Sequence, residues 1–300
     1  MRHIPVLLKE VLEGLNLSKN SKVIDCTLGD AGHSEAILDK VGPKGKLLGI
    51  DADPESLLRA KRNLYRYENQ VIFVRDNFEN LKEIVVANGF ENVDAILMDF
   101  GWSTPQFKER GRGFSFENDE PLDMRYSGVT GETATDIINE YTELELEKIL
   151  RYYGEENLSR EIAKEIVGAR VVSRIDHTAP LVEIILGVYR RKLKSTKEIP
   201  WVGGIHPATK VFQALRIAVN KELEVVRQVL PQAVEVLSSG GRLAVISFHS
   251  LEDRIVKQFF VKYQNKTIRI ITKKPIIASE DEVNINPSSR SAKLRIIEKI

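Results

Sequence analysis

Residues 22–53 constrain the fold most, because they form a strand, a glycine turn, a helix and a second strand in sequence. The first apolar run ends at Asp25, and Gly29 and Gly32 lie in the turn that follows. Glycines at a strand-to-helix turn let a ligand approach the backbone closely. The second apolar run ends at Asp51, about where an acid can accept hydrogen bonds from a ribose. This spacing predicts the first βαβ unit of a nucleotide-binding sheet.

The residues of the turn indicate which nucleotide would bind. A dinucleotide site favours G-x-G-x-x-G, whereas this turn reads Gly29-Asp30-Ala31-Gly32 and is entered through Asp25. Acidic groups there repel phosphate and favour a cationic ligand, such as the methionine end of S-adenosylmethionine. A dinucleotide, or an ordinary turn with no ligand, remains the alternative.

Composition limits the classes of protein. The chain has 300 residues, 42% hydrophobic and 29% charged, which is ordinary for a globular protein with a substantial core. Its single cysteine, Cys26, cannot form a disulfide within the chain, which fits a reducing compartment. No run approaches the roughly 18 apolar residues of a membrane helix. Charges at Lys9, Glu10 and Glu13 argue against a signal peptide. We therefore expect a cytoplasmic protein without a membrane partner.

The net charge of +1 argues against indiscriminate binding to nucleic acid. The charge is unevenly distributed, because residues 254–300 hold eleven Lys or Arg and four Asp or Glu. This basic segment, with Arg254, Lys257, Arg290 and Arg295 among its cations, predicts a surface that contacts phosphates. A solvated face is the alternative.

The order of predicted elements suggests an interrupted domain. Strands and helices alternate up to a buried strand at 93–101, as in a doubly wound α/β sheet. The alternation then stops, and it resumes with a long helix predicted over 209–237. The sequence thus predicts a cofactor-binding domain made of 1–107 and 206–300, interrupted by a mainly helical domain at 108–205. The helical pattern itself does not indicate a purpose, and a packed bundle is the alternative to the substrate-recognition domain that we expect there.

Two further features suggest functional groups. Asp99 ends the 93–101 strand at the edge where open α/β sheets bind ligands, and it could accept a hydrogen bond from an exocyclic amine or cap a helix. Arg112, Phe114 and Phe116 lie in a loop at 110–125 that could stack on RNA bases or pack its rings inward.

Other chemistries lack their motifs. The five histidines are scattered and there is no cysteine cluster, so no metal site is expected. No G-x-S-x-G elbow and no P-loop is present, which argues against a hydrolase of that type and against an NTPase.

Several long stretches together resemble the MraW family of S-adenosylmethionine-dependent rRNA methyltransferases, almost from end to end. They are HIPVLLKEV (3–11), DCTLGDAGHS (25–34), GIDADP (49–54), DFGWSTPQ (99–106), RGFSF, PLDMR, YGEE (153–156), HPATKVFQALRIAVNKEL (206–223), GGRLAVISFHSLEDRIVK (240–257) and NPSSRSAKLR (286–295).

The resemblance implies a class I, Rossmann-like methyltransferase that methylates the N4 amine of a cytidine at the decoding centre of 16S rRNA, within the small ribosomal subunit. It implies S-adenosylmethionine as cofactor. The cofactor contacts that it implies fall on Ala31, Gly32, His33, Asp51, Phe78, Asp99 and Gln106.

Two positions depart from the family pattern: Ala31 replaces the first glycine of a Gly-Gly-His turn, and Trp102 replaces a smaller residue.

We expect direct displacement, in which the N4 lone pair attacks the sulfonium methyl and Asp99 accepts a hydrogen bond from N4–H as the catalytic group. Two rivals remain from the sequence: an RNA chaperone that binds the cofactor without catalysis, and an NAD-linked oxidoreductase. The sequence does not predict an oligomeric state.

Overall fold

The structure is a computed structural model that describes residues 4–100, 111–126 and 131–300. Two compact units are present. The sheet unit comprises Met1–Trp102 and Leu223–Ile300, and the helical unit comprises Ser103–Glu222.

The sheet unit is built on one mixed eight-stranded sheet. Its strands are β1 (Lys22–Asp25), β2 (Lys46–Asp51), β3 (Val71–Arg75), β4 (Val93–Asp99), β5 (Leu237–Ser247), β6 (Ile268–Ile270), β7 (Ile276–Ile277) and β8 (Lys293–Lys299). The order is β3-β2-β1-β4-β5-β8-β6, with β7 also paired to β8. The first five strands of this order are parallel, and β8 runs antiparallel to β5. The predicted class I, doubly wound α/β fold is confirmed.

Helices cover both faces of this sheet. They are α1 (Leu8–Gly14), α2 (Gly32–Val41), α3 (Pro54–Asn63), α4 (Leu81–Ala87), α10 (Glu222–Val236), α11 (Ser250–Tyr263) and α12 (Glu280–Ile285). One buried cluster joins the sheet to α4, α10 and α11, and another joins it to α1, α2 and α3. Covering on both faces explains why the parallel strands are nearly continuous apolar runs.

The helical unit contains α5 (Ala134–Glu140), α6 (Glu143–Gly154), α7 (Ser159–Val172), α8 (Thr178–Leu193) and α9 (Ala208–Asn220). Thr133 and Thr142 begin α5 and α6 with capping boxes, in which each threonine and the acid three residues later satisfy each other's backbone N–H. These five helices share one apolar core.

The predicted helix over 209–237 is two helices. Lys221 adopts a left-handed conformation with φ of 49°, which ends α9 before α10 begins. Phe212 and Leu215 of α9 are buried in the core of the helical unit. The close approach of α6 to α9 requires Gly154, since a Cβ there would lie 2.6 Å from the carbonyl oxygen of Lys210.

The packing of α9 moves the second domain boundary. It lies after Glu222, whereas the sequence placed it at 205/206. A continuous apolar stripe misled the prediction, because the stripe does not register the left-handed residue that breaks the helix. None of the helices in the described ranges is long and apolar enough to span a lipid bilayer.

Candidate active site

The sheet unit has a topological switch point between β1 and β4. These strands are parallel neighbours, and successive strands are added outward in opposite directions from them. Helix connections leave such a pair on opposite faces, which opens a crevice beyond their carboxyl ends. Asp25 ends β1 and Asp99 ends β4, so two carboxylates lie at this crevice.

Asp25 is the buried member of the pair, with 1% of its surface exposed. Its carboxylate accepts hydrogen bonds from the Ser34 hydroxyl at 2.6 Å and from the Thr27 backbone N–H at 3.1 Å. Burial raises the pKa of Asp25, and these hydrogen bonds oppose that rise. Asp25 is thus held in place by its neighbours at the base of the crevice.

Asp99 is fixed from its backbone and faces an unusual histidine. Its N–H donates to Thr27 Oγ1 at 2.7 Å, so Thr27 links the ends of the two strands. Asp99 Oδ2 lies 3.5 Å from His33 Nε2 in the first turn of α2. His33 is buried, and neither ring nitrogen has a hydrogen-bond partner in the described parts of the chain. Buried polar atoms are nearly always paired, so this imidazole is a candidate ligand-binding group.

Asp51 lies at the end of β2 beside the glycine turn. Its two carboxylate oxygens accept hydrogen bonds from the backbone N–H of Gly29 and of Asp53, each at 2.8 Å. Gly29 has φ of +50°, a conformation that glycine adopts without steric cost. Burial raises the pKa of Asp51 to about 6. Each oxygen keeps a lone pair that can accept a hydroxyl, so the predicted ribose contact is geometrically available.

Asp53 has a different function although it lies two residues away. Its side chain accepts from the backbone N–H of Ser56 at 2.7 Å and so caps α3. The two acids of the Asp51-Ala-Asp53 segment are therefore a candidate ligand group and a helix cap.

The turn before α2 adopts a conformation that suits glycine. Ala31 is buried at the N-cap position of α2 with φ of 64°. A non-glycine residue in this region costs about 1 kcal/mol. Ala31 therefore adopts a left-handed conformation at a modest cost in strain that glycine would not incur. At Gly32, a Cβ would lie 3.2 Å from Pro5 Cδ, so the start of α2 is closely packed.

Phe78 lies in the short 3₁₀ helix that follows β3, on the same edge of the sheet. Its ring stacks on Phe100, which follows β4, with centroids 6.0 Å apart and an interplanar angle of 25°. An aromatic wall of this kind suits a planar base. Gln106 and Trp102 lie outside the described residues.

Two inferences from the sequence lose support. Asp30 pairs with Arg59, whose Nε donates to it at 2.7 Å, so the charge of the turn is less negative than its sequence indicated.

Phe114 and Phe116 are half-buried against the core of the helical unit, with Phe114 stacked on Tyr126. The alternative of inward packing describes these two rings better than base capture does.

Not every cation of the basic C-terminal segment can contact a phosphate. Arg295 is 7% exposed, and its guanidinium donates to both carboxylate oxygens of Asp253, at 2.6 and 3.1 Å. A phosphate would have to displace this buried pair, so Arg295 is better described as structural. Arg290 and Lys257 are exposed and keep the predicted role open.

His249 and Glu252, which are three residues apart, form a capping box at the start of α11. Glu252 accepts from the backbone N–H of Phe248 at 2.9 Å. Their proximity has a structural explanation.

Sequence reasoning missed Thr27, Ser34 and Phe100. Thr27 and Ser34 orient the carboxylates, and Phe100 supports Phe78. A polar residue two after a strand-ending acid was a usable signal for Thr27. The stacking of Phe100 on Phe78 depends on strand order, which no local pattern contains.

Comparison with known proteins gives a consistent result. The family model described as the MraW methylase family matches residues 1–300. The ribosomal RNA small subunit methyltransferase H of Clostridioides difficile (strain 630) is 42% identical over 314 residues, covering 99% of each chain. The enzyme of the same name from Clostridium botulinum (strain Kyoto / Type A2) is 44% identical over 315 residues, covering 100% of this chain and 99% of its own. Among solved structures, an rRNA methylase from Streptococcus thermophilus aligns with a TM-score of 0.45 and 11% identity, covering 98% of this chain and 93% of its own.

Proposed function

Because this chain belongs to the MraW methylase family, it is a methyltransferase with S-adenosylmethionine as its cofactor, and we propose that it methylates the N4 amine of a cytidine in 16S rRNA. We place that cytidine at the decoding centre of the small ribosomal subunit. Two relatives that match almost the whole chain are named for methylation of small-subunit rRNA, which supports the choice of RNA.

We further propose that the cofactor occupies the crevice beyond β1, β2 and β4. Asp51 would accept the ribose hydroxyls, Phe78 would flank the adenine, and the turn at Ala31 and Gly32 would approach the methionine end. Gln106 belongs to this proposed set by its place in the sequence alone. The buried imidazole of His33, whose ring nitrogens have no hydrogen-bond partner among the described residues, supports a ligand at this position.

When bound, S-adenosylmethionine supplies an activated methyl group on a sulfonium centre. The chain must then hold the amine in line and keep water away. Asp99 would accept a hydrogen bond from N4–H, which favours the geometry in which the nitrogen lone pair is free to attack. Methylation leaves an extra proton on N4, and Asp99 would accept it.

His33 would complete this proton path. Its Nε2 lies 3.5 Å from Asp99 Oδ2, so a proton accepted by the carboxylate can pass to the imidazole. The single observation that carries the proposal is this pair, an acid at the switch point facing a buried histidine that has no hydrogen-bond partner in the described ranges.

The test is to incubate the protein with methyl-labelled S-adenosylmethionine and small subunits that lack the modification, and in parallel with naked 16S rRNA. Digestion and mass spectrometry of the nucleosides should show label as N4-methylcytidine. Asp99→Ala serves as the inactive control. Label recovered as 5-methylcytidine or as a ribose-methylated nucleoside would overturn the N4 assignment.

A further inference from the structure

An exposed tryptophan lies at the end of a short hairpin in the helical unit. Trp201 is 59% exposed, and its neighbours Val202 and Ile205 are 45% and 48% exposed. Val202 and Ile205 exchange backbone hydrogen bonds of 3.1 and 3.0 Å across a two-residue turn. Large apolar side chains grouped in this way commonly mark a binding surface.

The turn holds this surface in a defined place. Gly203 and Gly204 have φ of +58° and +76°, the pair of positive values that a type I′ hairpin turn requires. Only glycine adopts these angles freely. A rigid turn lowers the entropy lost on binding, so the tip is suited to contact a partner.

The tryptophan is also the outer end of a chain of ring contacts that begins in the core. Trp201 makes an edge contact with the His206 ring at 5.4 Å, and His206 stacks on Phe116 at 4.6 Å. Phe116 in turn contacts the buried Phe212 at 5.2 Å. The indole is therefore supported from beneath while most of it stays open to solvent.

The chain that leads to this hairpin is strongly basic. Residues 190–206 contain five cations and a single acid, Glu198. Three of the cations are neutralised: Arg190 pairs with an acid of its own helix, α8, and Arg191 and Lys192 pair with acids of α7.

Lys194 and Lys197 are exposed and have no ion-pair partner within the described ranges. Their positions, seven and four residues before Trp201, place positive charge near the aromatic tip along the chain.

Exposed aromatic rings together with unpaired lysines are the combination that binds single-stranded nucleic acid. Bases stack on the ring, and the lysines contact the phosphates. Protein–protein interfaces, by contrast, are depleted in lysine. The charge pattern therefore favours RNA over a protein as the occupant.

We propose that the basic hairpin arm, residues 190–206, binds a single-stranded part of the RNA substrate, with Trp201 stacking on a base and Lys194 and Lys197 contacting phosphates. This inference rests on the proposed function only in taking RNA as the substrate. It assigns to Trp201 the stacking role that the sequence had suggested for Phe114 and Phe116.

The first test measures binding of a fluorescently labelled, mixed-sequence single-stranded RNA of about 16 nucleotides to the full chain, by fluorescence anisotropy. Trp201→Ala should raise Kd by about 5- to 150-fold, the usual effect of losing one stacked base. Trp201→Phe retains a ring and should recover most of the affinity. Tyr152→Ala removes an equally exposed aromatic from α6 and should leave Kd unchanged.

The second test measures the salt dependence of the same binding. Replacing Lys194 and Lys197 by Gln should reduce the slope of log K against log salt by about 1.4, since each single-strand phosphate contact contributes about 0.7. The matched control replaces Lys148 and Lys164, which are exposed on α6 and α7, and should leave the slope unchanged.

The outcomes separate this inference from the proposed function. Thermal melts and S-adenosylmethionine affinity should match wild type in every variant, which excludes misfolding. If Trp201→Ala binds RNA within twofold of wild type, the inference is wrong, even when wild type forms N4-methylcytidine. If Trp201→Ala loses affinity but wild type forms another methylated nucleoside, the arm assignment stands and the N4 assignment fails.

Discussion

The two units present functional groups in different ways. In the sheet unit, Asp25, Asp51 and Asp99 lie at carboxyl ends of parallel strands, where the topology of the fold places ligands. In the helical unit, the positions of the exposed side chains of the basic hairpin arm, residues 190–206, are set by the end of a helix and by the turn that follows it. The location of a ligand site can therefore be predicted from the strand ends of a parallel sheet, whereas no comparable rule predicts which part of a helical surface binds a ligand.

The largest expected effect tests whether the sheet unit binds the cofactor by itself while the helical unit is needed for methylation. A chain in which a flexible linker replaces residues 103–222 should fold and bind S-adenosylmethionine, more weakly than the full chain because it lacks Gln106, but it should methylate no RNA. A chain lacking only 108–205 keeps α9 without its core, which exposes Phe212 and Leu215, and it should aggregate. Calorimetry and size-exclusion chromatography distinguish the two. If both deletions unfold, the sheet unit is not autonomous.

Within the sheet unit, Asp99→Ala should lower kcat by about 10²- to 10⁴-fold, the usual contribution of a positioned acid or base. RNA affinity should be largely kept. Asp99→Asn keeps one oxygen acceptor and should lose less activity. The control is Asp76→Ala just after β3, because the Asp76 side chain hydrogen-bonds only within its own turn among the described residues. Unchanged turnover in Asp99→Ala would remove Asp99 from the chemistry.

The basic C-terminal segment provides a contrast between two arginines. Arg295→Ala leaves the half-buried carboxylate of Asp253 without its main partner and should lower the free energy of unfolding by about 2–3 kcal/mol. Arg290→Ala should leave stability unchanged, because Arg290 is exposed. Urea denaturation measures both. Equal stability of the two variants would show that Arg295 is not structural and would restore it as a candidate phosphate contact.

The sequence predicted the strand-end features of the sheet unit better than the features that depend on packing. The βαβ order and the strand-end acids were predictable because each strand is a buried apolar run that ends at a charged residue. The boundary after Glu222 was not, since the left-handed Lys221 has no side-chain signature. The ion pair of Asp30 with Arg59 joins residues 29 apart in sequence and requires the packed fold to be seen.

For the cofactor, Asp51→Ala should weaken S-adenosylmethionine binding by about 10- to 100-fold. The expected loss is that of charge-assisted hydrogen bonds, about 1.5–3 kcal/mol. Asp53→Ala is the matched control: it removes the cap of α3 and should cost about 1 kcal/mol of stability while affinity is kept. Isothermal calorimetry and thermal melts separate the two. Full affinity in Asp51→Ala would reject the ribose contact.

The smallest effect is a dependence of cofactor affinity on pH. Burial raises the pKa of Asp51 to about 6 in the free protein, and a carboxylate accepts ribose hydroxyls better than a carboxylic acid does. Binding should therefore be strongest above pH 6 and weaken as pH falls through 6, because the proton must first be released. From pH 7 to pH 5 the affinity should fall about tenfold, with uptake of nearly one proton by the free protein over that range. The amine of the cofactor stays protonated in this window and adds no step of its own. Calorimetry in buffers of different ionisation enthalpy measures the linked proton. Asp51→Asn should abolish the change of affinity with pH. If that change persists in Asp51→Asn, another group titrates, and Asp25 is the first to examine because burial raises its pKa as well.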